Sequence, residues 1–174
     1  MAKKTKKSKR KVKLTPEQKA QNLLKRTQEN EIRTIFKNLG FYRLSNIDGK
    51  EIIYKDRTSE MDDIFICENI ILITEYTIAK NPGEHIKNKT LFYSKVLENK
   101  KEFINFLNTE PKLSSFKNFY EDKIKSKYSL NQLKLEILYC SRFSISEEHK
   151  KNAGGVYLFD YHIVQYFKSL TRVI

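Results

Sequence analysis

Two isoleucine-rich runs, separated by only two residues, are the feature that most constrains the fold. "MDDIFIC" covers 61–67 and "IILITEYTI" covers 70–78, with Glu68 and Asn69 between them. Residues of this kind favour strands, so the stretch predicts a tight β-hairpin. Because the apolar residues are nearly continuous, at least one of the two strands is predicted to be covered on both faces. We therefore expect a central sheet with helices on each side.

The segments around the hairpin complete this layout. Thr15-Pro16-Glu17-Gln18 predicts a helix that starts with a capping box and ends near Gly40. Further helices are predicted over 84–107, over 114–124 and from 161 onwards, and further strands over 41–44, 51–55, 132–140 and 156–160. The predicted fold class is α/β (α+β), with one domain over 15–174 built on a mixed sheet flanked by helices.

The start of the chain is strongly basic. The net charge is +13, and residues 1–13 contain no acid. Eight positive side chains lie there: Lys3, Lys4, Lys6, Lys7, Lys9, Arg10, Lys11 and Lys13. We expect residues 1–14 to be a disordered tail that binds the phosphate backbone of DNA by releasing counterions. The alternative is a leader that only improves solubility.

Three carboxylates in the hairpin suggest chemistry. Asp62 and Asp63 open the first strand, and Glu75 lies inside the second. Folding the hairpin brings Asp62 or Asp63 beside Glu75, where two carboxylates repel each other. A divalent cation such as Mg²⁺ or Mn²⁺ would remove that repulsion and could support phosphodiester hydrolysis. The alternative is that the acids are solvated at the edge of the sheet.

The order of helix, strands, acid pair, second acid and helix resembles the PD-(D/E)xK restriction-endonuclease-like superfamily. Ser59-Glu60-Met61-Asp62 stands where the first acid of its motif would lie, and Glu75-Tyr76-Thr77 stands where Glu-x-Lys would lie. Thr77 departs from the motif, so the resemblance implies that another lysine assists the attacking water: Lys80, Lys87 or Lys89. It also implies that an acid of the first helix, Glu29 or Glu31, completes the site. The predicted catalytic set is Asp62, Glu75, Lys89 and Lys80, and the predicted metal ligands are Asp62, Asp63, Glu75 and Glu31.

A second resemblance covers nearly the whole chain. The lysine-rich leader, "DDIFICENIILITEYT", "GEHIKNKTLFYSKVLENK" and "FDYHIVQYFKSLTRVI" are similar to the N-terminal part of bacterial DGQHR-domain proteins. This resemblance implies a cytoplasmic bacterial protein with a role in DNA modification or defence, and a DGQHR domain after residue 174. The lack of a stop signal in the last predicted helix agrees with the expectation that the chain is the front part of a longer protein.

The two cysteines and one histidine give further signals. Cys67 and Cys140 lie in apolar runs, which indicates buried, reduced thiols, and the chain has no zinc-ligand spacing and no run long enough for a membrane span. His85 lies one helical turn before Lys89, so it either faces the site or belongs to an ordinary polar helix surface.

Three functions stay open: a metal-dependent DNA nuclease, an inactive nuclease-fold module that binds DNA or regulates, and a protein-interaction adaptor.

Overall fold

The computed structural model describes residues 14–171. The predicted tail lies outside these residues except for Leu14, and so do the eight basic side chains predicted to contact DNA. The helices are α1 (Pro16–Asn38), α2 (Gly83–Glu98), α3 (Lys100–Thr109), α4 (Ser114–Phe119), α5 (Glu147–Lys151) and α6 (Tyr161–Leu170). The strands are β1 (Tyr42–Arg43), β2 (Lys50–Tyr54), β3 (Arg57–Met61), β4 (Asp63–Cys67), β5 (Ile70–Thr77), β6 (Lys134–Ser141) and β7 (Tyr157–Phe159).

Five of the strands form one mixed sheet in the order β1-β4-β5-β6-β7. The first three are antiparallel to their neighbours, whereas β5, β6 and β7 run parallel. β2 and β3 pair only with each other and form a separate hairpin. The predicted mixed sheet flanked by helices is therefore confirmed.

The predicted hairpin forms β4 and β5, with Cys67 opposite Ile70 and Asp63 opposite Thr74. β5 is buried along almost its whole length, because helices cover both faces of the sheet. One face carries Ile71 and Ile73 and packs in the larger core cluster with side chains of α2, α3 and α4. The other face carries Leu72 and packs with α1 and α6. Neighbouring residues of β4 and β5 thus face two separate cores.

Several local predictions are confirmed and others are corrected. The capping box at Thr15 and the cap of α6 by Asp160 are both present, and Gly40 has the positive φ expected after a helix. The predicted single helix over 84–107 divides at Asn99, whose non-helical backbone ends α2 and whose side chain accepts a hydrogen bond from the Glu102 N–H at the start of α3. Strand β3 and helix α5 lacked a clear apolar period and were not predicted. No helix within residues 14–171 is both long and apolar enough to cross a membrane.

Candidate active site

The two adjacent aspartates of the hairpin face opposite sides of the sheet. Residues alternate between faces along a strand, so Asp62 shares the face of Ile64 while Asp63 shares the face of Phe65. Ile64 lies in the larger core under α2, and Phe65 lies in the smaller core under α1. Because Asp63 pairs with Thr74, Asp62 lies beside Glu75 at the next position of the antiparallel pair.

Asp63 is completely buried among basic and hydroxyl groups. Arg33 Nε donates to its Oδ2 at 2.7 Å, the Tyr76 hydroxyl donates to the same oxygen at 2.8 Å, and Arg43 Nε donates to Oδ1. Two guanidinium groups therefore already compensate its charge, on the face of the sheet away from Glu75. This placement separates Asp63 from the predicted metal site, and its partners indicate a structural ion-pair network.

Glu75 lies inside β5 with no solvent exposure, on the face covered by α2. Lys89 Nζ donates to Glu75 Oε2 at 2.6 Å, and the Tyr93 hydroxyl donates to Oε1. Lys89 and Tyr93 are four residues apart on α2, so they lie on one face of that helix. The helix thus supplies both hydrogen-bond partners of a carboxylate on the strand.

Lys89 also joins the separate hairpin to the site. Its ammonium group donates to Ser59 Oγ at 3.0 Å and to the Glu60 carbonyl, both on β3. Of the three lysines that could replace a lysine at position 77, only Lys89 contacts Glu75. Lys80 is exposed in the loop after β5, and Lys87 is an exposed residue that lines a different surface pocket beside α5.

These groups border a polar cavity of about 310 Å³. α1, β3, β5 and α2 all contribute to its wall, together with Asp62, which connects β3 to β4. The lining residues are Lys25, Thr58, Ser59, Glu60, Asp62, Tyr76, His85, Asn88 and Lys89. Polar groups from four elements and one connecting residue therefore converge on one opening that is large enough for a phosphate group and part of a sugar.

The two carboxylates of this site have perturbed protonation. Burial raises the pKa of Glu75 to about 8, and the charge of Asp62 adds to the increase while Lys89 opposes it. Burial also raises the pKa of Asp62, against the opposing effects of the Tyr76 N–H, which donates to Asp62 Oδ2 at 2.8 Å, and of Lys25. Desolvation therefore disfavours the ionised form of both acids, and the charge of Asp62 further disfavours the ionisation of Glu75.

The acid that α1 brings near Asp62 is Glu29. It is 5% exposed, and Lys25 Nζ lies between it and Asp62, 3.8 Å from Glu29 Oε1 and 3.7 Å from Asp62 Oδ1. Glu31 instead accepts from Arg142 Nη1 at 3.1 Å and from Lys168 Nζ at 2.7 Å, next to α6. Two residues of helix rotate Glu31 by more than half a turn from Glu29, so the predicted ligand Glu31 lies away from the site.

His85 occupies the same cavity wall, one turn before Lys89. Its Nδ1 shares a 2.6 Å hydrogen bond with the hydroxyl of Tyr139, which lies beside Glu75 in the parallel pair of β5 and β6. The sequence left open whether His85 faces the site or belongs to an ordinary polar helix surface, and the structure places it at the cavity wall. Tyr139 and Tyr93 were not predicted, because a tyrosine inside an apolar run looks like core, and only the pairing of elements distant in sequence reveals their hydroxyl contacts.

Within residues 14–171, no group of three or more His, Cys, Asp and Glu side chains is arranged to hold a metal ion. Asp62 and Glu75 form a pair rather than a trio, which suits Mg²⁺, because Mg²⁺ is commonly bound through one or two carboxylates and completes its coordination with water and phosphate oxygens.

No protein-family model, curated protein or solved structure matches this chain.

Proposed function

We propose that this chain is a metal-dependent DNA nuclease module of restriction-endonuclease-like type, which hydrolyses phosphodiester bonds. The observation that carries the proposal is the contact of Lys89 with Glu75 at 2.6 Å, on the same side of the sheet as Asp62 and at the wall of a polar cavity. Lys89 lies on α2, yet its amine contacts Glu75. A lysine at position 77 of β5 would lie near the same acid. The presence of threonine where the motif has lysine, at position 77, is therefore compatible with a site that has its lysine.

Asp62 and Glu75 are the residues that would hold Mg²⁺ or Mn²⁺. Such a cation, when bound, supplies charge that neutralises the two acids and polarises a phosphoryl oxygen. The raised pKa values of both acids support this assignment, because a nearby cation would favour their ionised forms. Lys89 holds Glu75 in position, and Lys25, on the opposite wall, can attract a phosphate group.

The wider biological role we propose involves the two ends of the chain. The basic residues 3–13 would hold the DNA backbone, and a DGQHR domain after residue 174 would connect the nuclease to DNA modification or defence in bacteria. Both statements depend on the sequence and its resemblances. The first statement can be tested by comparing the DNA affinity of the chain with and without its first 13 residues over a range of salt concentrations.

Cleavage of plasmid, linear duplex and single-stranded DNA in the presence of Mg²⁺, Mn²⁺ or EDTA tests the proposal. We expect metal-dependent cleavage that falls by about 100-fold or more in Glu75→Gln and in Lys89→Met. Lys95→Met is the matched control, because Lys95 lies on the same helix and pairs only with the exposed Glu98 within the described chain. Calorimetry should also detect Mn²⁺ binding to the wild type and a large loss of affinity in Asp62→Asn.

A DNA-binding module without hydrolysis is the second candidate. It is favoured by the fact that lysines already contact both acids, Lys89 at Glu75 and Lys25 at Asp62. Salt-dependent DNA binding, with neither cleavage nor Mn²⁺ binding, would support this candidate and contradict the nuclease proposal.

A further inference from the structure

The side-chain nitrogen of Lys89 cannot accept a further proton in this structure. An ammonium group has three N–H donors, and those of Lys89 have three acceptors: Glu75 Oε2, Ser59 Oγ and the Glu60 carbonyl. In this state the nitrogen has no lone pair, so Lys89 can stabilise negative charge but cannot take a proton from a water molecule. Hydrolysis at this site therefore needs another proton acceptor.

His85 is placed to be that acceptor. Its ring lines the cavity together with Asp62 and Lys89, and the Nδ1 contact with Tyr139 fixes the orientation of the ring. Tyr139 is itself rigidly held, since it is 1% exposed and packs with its ring centroid 5.5 Å from that of His85. Nε2, on the other side of the imidazole, makes no hydrogen bond with any side chain or backbone group of residues 14–171.

The charges around His85 keep it neutral near pH 7. His85 is exposed as a residue, but partial desolvation of its ring lowers its pKa, and the ammonium groups of Lys89 on the same helix and Lys25 on α1 lower it further. Glu60 of β3 and Asp62, between β3 and β4, border the cavity; Glu75 lies under α2, and the Tyr139 hydroxyl faces the ring from β6. A neutral imidazole is the form that can accept a proton.

We propose that His85 Nε2 is the proton acceptor for the attacking water, an inference that rests on the proposed nuclease function. As the water oxygen bonds to phosphorus, its proton passes to Nε2, and the bond between phosphorus and the leaving oxygen breaks. The leaving oxygen takes a proton from solvent, and the imidazolium returns its proton to solvent. The net reaction consumes one water and converts a phosphodiester into a phosphomonoester and an alcohol.

This role fixes the tautomer of the ring. A lone pair on Nε2 requires that Nδ1 carry the proton and donate it to the Tyr139 oxygen. Two-dimensional ¹⁵N NMR of the histidine rings reports the tautomer directly and needs neither metal nor substrate. We expect the Nδ1–H tautomer for His85 and a midpoint below the ordinary value of 6.5. An Nε2–H tautomer at pH 7 would overturn the proposal.

Kinetic tests then separate a proton acceptor from a structural residue. His85→Ala should lower kcat by about 100-fold or more while leaving the affinity for a DNA oligonucleotide in Ca²⁺ within about threefold. The part of the acidic limb of the pH–rate profile that His85 contributes should disappear, and added imidazole should restore at least about tenfold of the lost rate. His162→Ala, on the exposed side of α6, is the matched control and should behave as the wild type.

The outcomes distinguish the two proposals. If the wild type cleaves DNA and His85→Ala cleaves it within threefold of that rate, the role of His85 is excluded while the nuclease proposal stands. If the wild type hydrolyses no DNA or RNA substrate with any of the metals, both proposals fail. Loss of activity without imidazole rescue, together with a changed DNA affinity, would assign His85 to substrate binding and overturn its role in proton transfer.

Discussion

Adjacent aspartates with opposite roles provide the sharpest prediction from this structure. Asp63→Asn should lower the free energy of unfolding strongly, whereas Asp62→Asn should change it little. Both substitutions exchange one carboxylate oxygen for an amide, so they have the same size and the same change in formal charge. The difference follows only from the face of the sheet to which each side chain points.

The magnitudes follow from the hydrogen-bond partners. Asp63 receives charge-assisted bonds from Arg33 and Arg43 and a third bond from Tyr76. An asparagine keeps one acceptor oxygen and turns an NH₂ group towards a guanidinium, so at least one bond worth about 1.5–3 kcal/mol is lost and a cation is left without its partner. We expect a total loss of about 3 kcal/mol, which corresponds to roughly 6–12 °C in Tm for a chain of this size.

Asp62 has a different balance. Its carboxylate is desolvated, and its Oδ2 accepts the Tyr76 N–H, a bond that the amide oxygen of asparagine can keep. Lys25 lies 3.7 Å away and is 41% exposed, so that ion pair contributes little. We expect the stability of Asp62→Asn to remain within about 1 kcal/mol of the wild type.

Urea denaturation followed by circular dichroism at pH 7, with no divalent cation, measures both values. A loss below about 1 kcal/mol for Asp63→Asn, or a larger loss for Asp62→Asn than for Asp63→Asn, would refute the assignment of the two faces.

Three further outcomes are expected. The unfolded chain releases the Glu75 proton near pH 4.5, whereas the folded chain keeps it to about pH 8. The free energy of unfolding of the wild type should therefore fall as pH rises across this window, by about 1.4 kcal/mol per unit of pKa difference. Urea titrations of Glu75→Gln should show a flatter dependence on pH. Glu31→Gln should cost about 1–2 kcal/mol by weakening its contacts with Arg142 and Lys168, yet leave cleavage and Mn²⁺ affinity unchanged, and a loss of Mn²⁺ binding would return Glu31 to the metal site. Phe116→Ala should cost about 3–5 kcal/mol in thermal or urea unfolding because Phe116 is fully buried in the larger core, and a loss below 1 kcal/mol would contradict that packing.

The sequence predicted the sheet because its signals are local. The apolar runs that became β4 and β5, the capping box at Thr15 and the cap at Asp160 each depend on a few neighbouring residues. β3 escaped prediction because its residues are mostly polar and its partner β2 lies outside the main sheet. The break at Asn99 was missed because the apolar period continues across it.

The candidate site was predictable only in part. Alternation along β4 and β5 allowed either Asp62 or Asp63 to join Glu75, and only the register of the folded pair selects Asp62. The choice of Lys89 over Lys80 depends on the distance from α2 to β5, and the choice of Glu29 over Glu31 depends on the rotation of α1. Neither quantity is encoded in short-range spacing, so they could not be derived from the chain alone.

The position of Lys89 has a consequence for how related proteins can be recognised. A pattern written along a single strand expects the acid and its lysine two residues apart, whereas in the site proposed above Glu75 and Lys89 are 14 residues apart and meet only after folding. Under that proposal, nucleases with the lysine on the helix would escape such a pattern even if their chemistry were unchanged. DNA cleavage by the double variant Thr77→Lys/Lys89→Met would show whether a lysine on the strand can replace the lysine on the helix.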